Sequence, residues 1–274
     1  MPQVSRTLRN LCLNCLPPGF RHRVLEKWPN WRKAAPRGMR FVYNEYLGDV
    51  RLHIDTRYLV ERIAWTGSYE PELQHYIRSN LTPGAVALDI GANVGAVSLG
   101  LAKQAGPGGR IHAFEPAPPN RERLEANLAL NTGLARSVEV HPFALGDTSG
   151  TLYWHEEPGN PGNGWLRHSG DVPVPVRTLD DVVPDLGIDR LDFIKIDVEG
   201  MEELVLRGSA RTLRRWKPAL YFETLPRFRR KGTGHGSILD ELRPLGYRFH
   251  RLRSDGIPAP LAPGEWGSYT LALI

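Results

Sequence analysis

Short apolar runs, several of them closed by an acid, alternate along this chain with segments whose apolar positions recur every three or four residues. The first pattern marks strands and the second helices. Runs at 86–90, Arg110–Phe114, Val138–His141, 191–196, 219–222, 247–252 and 269–274 predict strands. Helical spacing predicts helices over 96–103 and 118–131, after Gly200 through Glu202, Leu204, Val205 and Leu206, and over 235–245. The run at 191–196 is nearly all apolar, as in a central strand covered on both faces. Together these elements predict an α/β fold with a doubly wound, mostly parallel, seven-stranded sheet. Ligands of such sheets gather beyond the carboxyl ends of the strands, where the strand order reverses.

Other segments decorate this core. Residues 41–54 alternate as a hairpin turning at Gly48-Asp49, and Leu73, Tyr76, Ile77 and Leu81 share a helical face. Gly150–Glu156 and Val172–Arg177 predict an added antiparallel pair, separated by a Gly-, Pro- and Asn-rich loop over 158–170 that carries Trp165 and His168. At the amino terminus, Leu8, Leu11, Leu13, Leu16, Leu25, Trp28 and Trp31 suggest short amphipathic helices broken by prolines. The favoured expectation is packing on the main domain or a second subunit, with a membrane-surface helix or a cap over a substrate as the alternatives.

The chemistry concentrates at the strand ends. The run at 86–90 delivers Asp89 into a turn with Gly91 and Gly95, followed directly by a helix whose first N–H groups and positive dipole end face a ligand. The spacing is Gly-x-x-x-Gly after an acid, not the Gly-x-Gly-x-x-Gly of dinucleotide sites. A carboxylate there would repel a pyrophosphate and suit an amino acid's ammonium group, so the first expectation is the methyl donor S-adenosylmethionine. A plain βα connection or another nucleotide site is the alternative. Glu115 closes the second strand, where an acid suits a ribose diol or favours a helix start. After the third strand, Phe143-Ala-Leu-Gly-Asp147 offers either an adenine lip or a turn. Asp197, Glu199 and Glu223 close the later strands, and packed together they would raise one another's pKa or hold a divalent cation. Glu199 also reads as a helix cap, and Glu202 as a solvated residue or a partner for Arg207.

Composition alters this picture little. The 274 residues carry a net charge of +5, but the arginines are scattered among acids, so no nucleic-acid partner is expected. Cys12 and Cys15 form a Cys-x-x-Cys pair with His22 as the near candidate ligand; the favoured reading is two thiols on an apolar helical face rather than a zinc or redox site. With no membrane-length apolar stretch and no cleavable signal pattern, the expected compartment is the cytoplasm.

Six blocks, Asp89-Ile-Gly-Ala-Asn-Val-Gly95, Phe114-Glu115-Pro116, Ala144-Leu-Gly-Asp147, Arg177-Thr-Leu-Asp180, Ile194-Lys-Ile-Asp-Val-Glu-Gly-Met-Glu202 and Val205-Leu-Arg-Gly208, together resemble the FkbM family of S-adenosylmethionine-dependent methyltransferases. The resemblance implies a Rossmann-like class I methyltransferase domain over 67–274 behind an extension of helices and a hairpin over 1–66. It also implies O-methylation of a sugar, glycan or polyketide-type acceptor bearing a free hydroxyl. Carried over, it places Asp89, Gly91, Asn93 and Gly95 at the donor's methionine end and Glu115 with Pro116 at the ribose. Ala144, Leu145 and Asp147 fall at the adenine edge, Asp197 lies below the sulfonium, and Tyr69 with Glu70 closes over the methionine part. Candidate bases are Asp197, Glu199, Glu223 and His235, the first three doubling as ligands for a cation such as magnesium. A homo-oligomer is compatible with this reading. A protein that binds the donor without transferring methyl is the main rival, and an NAD-linked oxidoreductase the next.

Overall fold

The computed structural model describes residues 38–65, 69–157, 162–224, 239, 241–262, 265 and 267–274. In chain order these form β1 (Arg40–Tyr46), β2 (Val50–Asp55), α1 (Leu59–Trp65), α2 (Pro71–Asn80), β3 (Val86–Ile90), α3 (Ala96–Ala105), β4 (Arg110–Phe114), α4 (Pro118–Leu130), α5 (Thr132–Ala135), β5 (Val138–His141) and β6 (Ala144–Leu145). They continue as β7 (Gly150–Glu156), β8 (Gly164–Arg167), β9 (Val172–Arg177), α6 (Leu179–Val182), β10 (Phe193–Ile196), α7 (Glu202–Arg207), α8 (Ala210–Trp216), β11 (Ala219–Glu223), β12 (Arg248–Leu252), β13 (Pro258–Pro260) and β14 (Tyr269–Leu273). Of the helix expected over 235–245, little beyond the Arg243–Leu245 turn is described. Cys12, Cys15, His22 and His235 lie outside the described residues.

The main sheet runs β13-β12-β14-β11-β10-β3-β4-β5. It has eight strands where the sequence predicted seven. The added strand is β13, a three-residue edge strand paired to β12. Its two prolines make it unreadable as a strand from sequence, yet an edge position tolerates the missing N–H. Pairing is parallel from β5 through β11 and antiparallel at β14. The order reverses between β3 and β10, so the crevice there is where a ligand belongs.

Each sheet face has its own core. Leu88, Ile90, Ile194, Ile196, Leu220 and Phe222 pack on the face covered by α6 to α8, while Ala87, Phe193, Tyr221 and Leu271 pack under α2 and α3. β3 and β10 alternate strictly between these faces, as pleated strands must. The β1–β2 hairpin and α1 bury Tyr46, Leu52 and Trp65 in one continuous cluster with Leu99 and Leu124. The expected loop over 158–170 contains β8, which pairs with β7 in a second sheet ordered β6-β9-β7-β8. Trp154, directly opposite Leu166 across that pair, supplies the cross-strand packing that the glycines nearby conceal in the sequence. No helix among the described residues is long and apolar enough to cross a membrane.

Candidate functional site

A cavity of about 250 Å³ opens at the carboxyl ends of the central strands. Its floor is the set of residues that terminate them: Gly91 after β3, Glu115 after β4, Asp197 after β10 and Glu223 closing β11. Tyr269, at the start of antiparallel β14, completes the row.

Gly91 is held at φ +81°, and a Cβ there would stand 1.9 Å from the Asp197 carbonyl oxygen. A side chain is therefore excluded by the packing of the turn against the end of β10, as well as by the backbone angle. Gly95, at φ +80°, starts α3 and packs against Leu124 outside the cavity.

Asp89 also lies outside the cavity wall. It is fully buried, accepts a 2.6 Å hydrogen bond from Ser98 Oγ and faces Lys195 Nζ at 3.6 Å. Lys195 is its register partner on β10, so both side chains emerge on the same sheet face. The same ammonium donates to the Gly91 carbonyl at 2.9 Å and lies 3.4 Å from Asp197 Oδ2. Asp197 accepts a further hydrogen bond from the Tyr269 hydroxyl at 3.1 Å. Opposing carboxylates hold Lys195 above the ordinary lysine range despite a large opposing effect of burial. Sequence reasoning missed this lysine, and the available signal was a cation inside an apolar central strand, which burial requires to be paired.

Glu70 is the helix-starting residue before Pro71, in the left-handed region at φ +44°, and both its carboxyl oxygens are buried. Burial pushes its pKa up to about 8, with Lys195 pulling the other way and Asp197 and Asp89 pushing further up. One ammonium thus faces three acids, leaving the cluster short of positive charge. Glu115 Oε2 accepts from the Asn93 N–H at 2.7 Å and Oε1 from the Ala117 N–H at 2.9 Å. Burial lifts it to about 7. It braces the start of α4 and also lines the cavity.

Pro116, Ala144 and Leu145 line the cavity beside Phe143, whereas Asp147 is exposed outside it. Tyr69, Asn93 and Glu199 also line it. Of the acids around Lys195 only Asp197 lines the cavity; Glu70, expected at the methionine end, follows Tyr69 in the chain and does not line it, while Glu115 and the apolar Phe143, Ala144 and Leu145 do.

The expected acid cluster forms with one change of member. Asp197, Glu202 and Glu223 bring carboxyl oxygens within 4.8 Å of one another, and Glu202 takes the place anticipated for Glu199. Glu202 is neither solvated nor paired with Arg207. It is buried, and its Oε1 accepts from the N–H groups of Val198 and Gly200 at 3.0 and 3.2 Å, capping the tight turn before α7. Arg207 instead pairs with Glu203 and Glu241. Glu199 sits in that turn at φ +54°. With Glu202 engaged by backbone N–H groups and Asp197 by Tyr269 and Lys195, this donor set does not fit a resident dication.

The opposite wall comes from outside the core. Tyr58, Leu59 and Ile63 from α1 and the turn before it, with Trp154, Trp165 and Leu166 from the inserted sheet, face the acids across the cavity. The β7–β8 hairpin is tied to the floor at the Gly162 carbonyl, which accepts from Asn120 Nδ2 at 3.0 Å and Asn93 Nδ2 at 3.4 Å.

A family model described as the methyltransferase FkbM domain matches residues 89–249, more than half of the chain. The chain is 35% identical over 166 residues to methyltransferase sdnD of Sordaria araneosa, covering 48% of this chain and 63% of that protein. It is 29% identical over 150 residues to the 2-O-methyltransferase NoeI of Sinorhizobium fredii, covering 48% and 60%. It is 30% identical over 161 residues to the 31-O-demethyl-FK506 methyltransferase FkbM of Streptomyces tacrolimicus, covering 47% and 60%. The matched stretch spans less than two thirds of each of these relatives. The chain belongs to the FkbM methyltransferase family.

Proposed function

We propose that the protein transfers a methyl group from S-adenosylmethionine to a hydroxyl oxygen of a small-molecule or glycan acceptor. One observation carries this reading: a single cavity joins the Gly91–Asn93–Glu115 end to a wall formed by Asp197, Glu199 and Glu223. The relatives' names support oxygen as the target, one being a 2-O-methyltransferase and another a 31-O-demethyl-FK506 methyltransferase.

When bound, the donor supplies a methyl group already activated on a sulfonium. The chain's own residues are left with positioning and with the acceptor's proton. Glu115 accepts from the ribose hydroxyls, Tyr69 with Asp197 meets the amino group, and Phe143, Ala144 and Leu145 hold the ring. Asp197 and Glu223, whose carboxyl oxygens lie within 4.8 Å of one another, receive the acceptor proton. Glu199, at the turn after β10, orients the acceptor. The wall from Tyr58 to Ile63 and the two tryptophans exclude water from the far side, so the segment before residue 67 serves the acceptor half of the site.

Methyl-labelled donor and a panel of hydroxylated acceptors test this directly. Label should enter at least one acceptor, and Asp197→Asn should abolish transfer while leaving the fold intact by circular dichroism. Calorimetric donor binding with no transfer to any acceptor would overturn the enzymatic reading and leave a donor-binding protein.

A further inference from the structure

On the opposite side of Phe114 from the acid cluster lies a group of side chains the proposed reaction does not use. His112 and Glu139 are register partners on β4 and β5, and His141 follows two residues later on the same face. His112 Nδ1 lies 3.1 Å from His141 Nε2, while the Glu139 carboxyl oxygens lie 3.5 Å from the first nitrogen and 3.9 Å from the second. We propose that His112, Glu139 and His141 form a second site that binds one transition-metal dication of the zinc class.

The geometry is the main argument. Metal–nitrogen and metal–oxygen bonds of about 2.0–2.2 Å in a tetrahedral sphere place donor atoms roughly 3.3–3.5 Å apart. The two nitrogens stand 3.1 Å apart with a different Glu139 oxygen nearest each, at 3.5 and 3.9 Å, so a rotation of the exposed Glu139 side chain brings one oxygen within reach of both. Two imidazoles and one carboxylate suit zinc, copper, nickel or cobalt rather than magnesium or calcium. Both histidines are buried and Glu139 is 62% exposed, which leaves a solvent side for entry and for a water as fourth ligand. The rings are fixed in place, since His141 stacks on Phe114 at 4.6 Å between centroids and on His112 at 5.3 Å.

Two features limit the affinity. Arg110 and Arg177 add positive charge nearby, although the first is bound to the Leu186 and Gly187 carbonyls and the second to Asp185. The buried Nε2 of His112 also has no hydrogen-bond partner, and outer partners of that kind are worth about 10–100-fold in metal affinity. A micromolar site is expected rather than one of nanomolar strength.

The test uses tag-free full chain, stripped by chelator and carrying Cys12→Ser and Cys15→Ser, so that no thiolate competes. Cobalt(II) should give the visible absorption of a four-coordinate nitrogen–oxygen complex at one equivalent, and zinc should displace it. Glu139→Gln, at an exposed position where folding is not at risk, should weaken zinc binding at least tenfold, and His141→Ala should remove it. Asp197→Asn should leave it unchanged. Absence of saturable cobalt or zinc binding overturns the proposal. So does binding that survives both Glu139→Gln and His141→Ala, that is lost with the cysteines, or that follows Asp197→Asn.

Discussion

Replacing Lys195 with Met removes the one ammonium that the structure places among Asp89, Asp197 and Glu70. The substitution nearly conserves side-chain volume, so packing contributes little to its effect. What remains is Asp89, fully buried, with Ser98 Oγ as its hydrogen-bond donor. Leaving one member of a buried ion pair uncompensated costs about 3–5 kcal/mol. At roughly 2–4 °C per kcal/mol for a domain of this size, the melting temperature should fall by about 6–20 °C. Removing the second charge should restore most of the loss, because a buried pair replaced as a whole is close to neutral. Lys195→Met with Asp89→Asn should therefore melt well above Lys195→Met alone, with a coupling of about 2 kcal/mol or more in the double-mutant cycle. Thermal unfolding by circular dichroism measures these quantities. A Lys195→Met protein within about 1 kcal/mol of wild type, or additive effects in the double variant, would refute the pairing argument.

Gly91→Ala puts a methyl group 1.9 Å from a backbone oxygen at φ +81°. Donor affinity by calorimetry should drop by more than tenfold, even if thermal unfolding shows the rest of the fold intact. Glu115 is lifted by burial from 4.5 to about 7, so the folded protein binds more protons than the unfolded chain between those values, and stability should decline as pH rises through that interval. Glu115→Gln should flatten this slope in melting temperature against pH. Over pH 6 to 8 donor affinity should rise as the carboxylate forms, an increase that the glutamine variant lacks. Trp165→Ala opens the wall facing the acids, so steady-state kinetics should show a raised acceptor KM with donor KM little changed.

Much of the site was legible because an acid at the end of an apolar run has one physical reading in a parallel sheet: it points into the crevice. Glu115, Asp197 and Glu223 all do so. Asp89 illustrates the limit. Its place at a strand end was readable, but its charge is met by Lys195, 106 residues later, and only the register of two paired strands brings them together. Glu202 reads locally as a solvated helix residue or a partner for Arg207, whereas the turn at 198–200 needs an acceptor for its N–H groups and takes Glu202 for it. The inserted sheet was half visible. β7 and β9 alternate plainly, but β8 is held by tryptophan packing and by pairing to β7, which no local pattern in a glycine-rich stretch announces. Tyr58 and Ile63 reach the cavity because the hairpin and α1 fold back onto α4, a contact set by the Asn127 and Asn131 side chains bonding the β2 backbone.

The two asparagine amides that converge on the Gly162 carbonyl make the inserted sheet a cassette with fixed moorings. On the proposed methyl-transfer reading, acceptor preference should follow Trp154, Trp165 and Leu166, the lining residues that this clasp moors beside the strand ends.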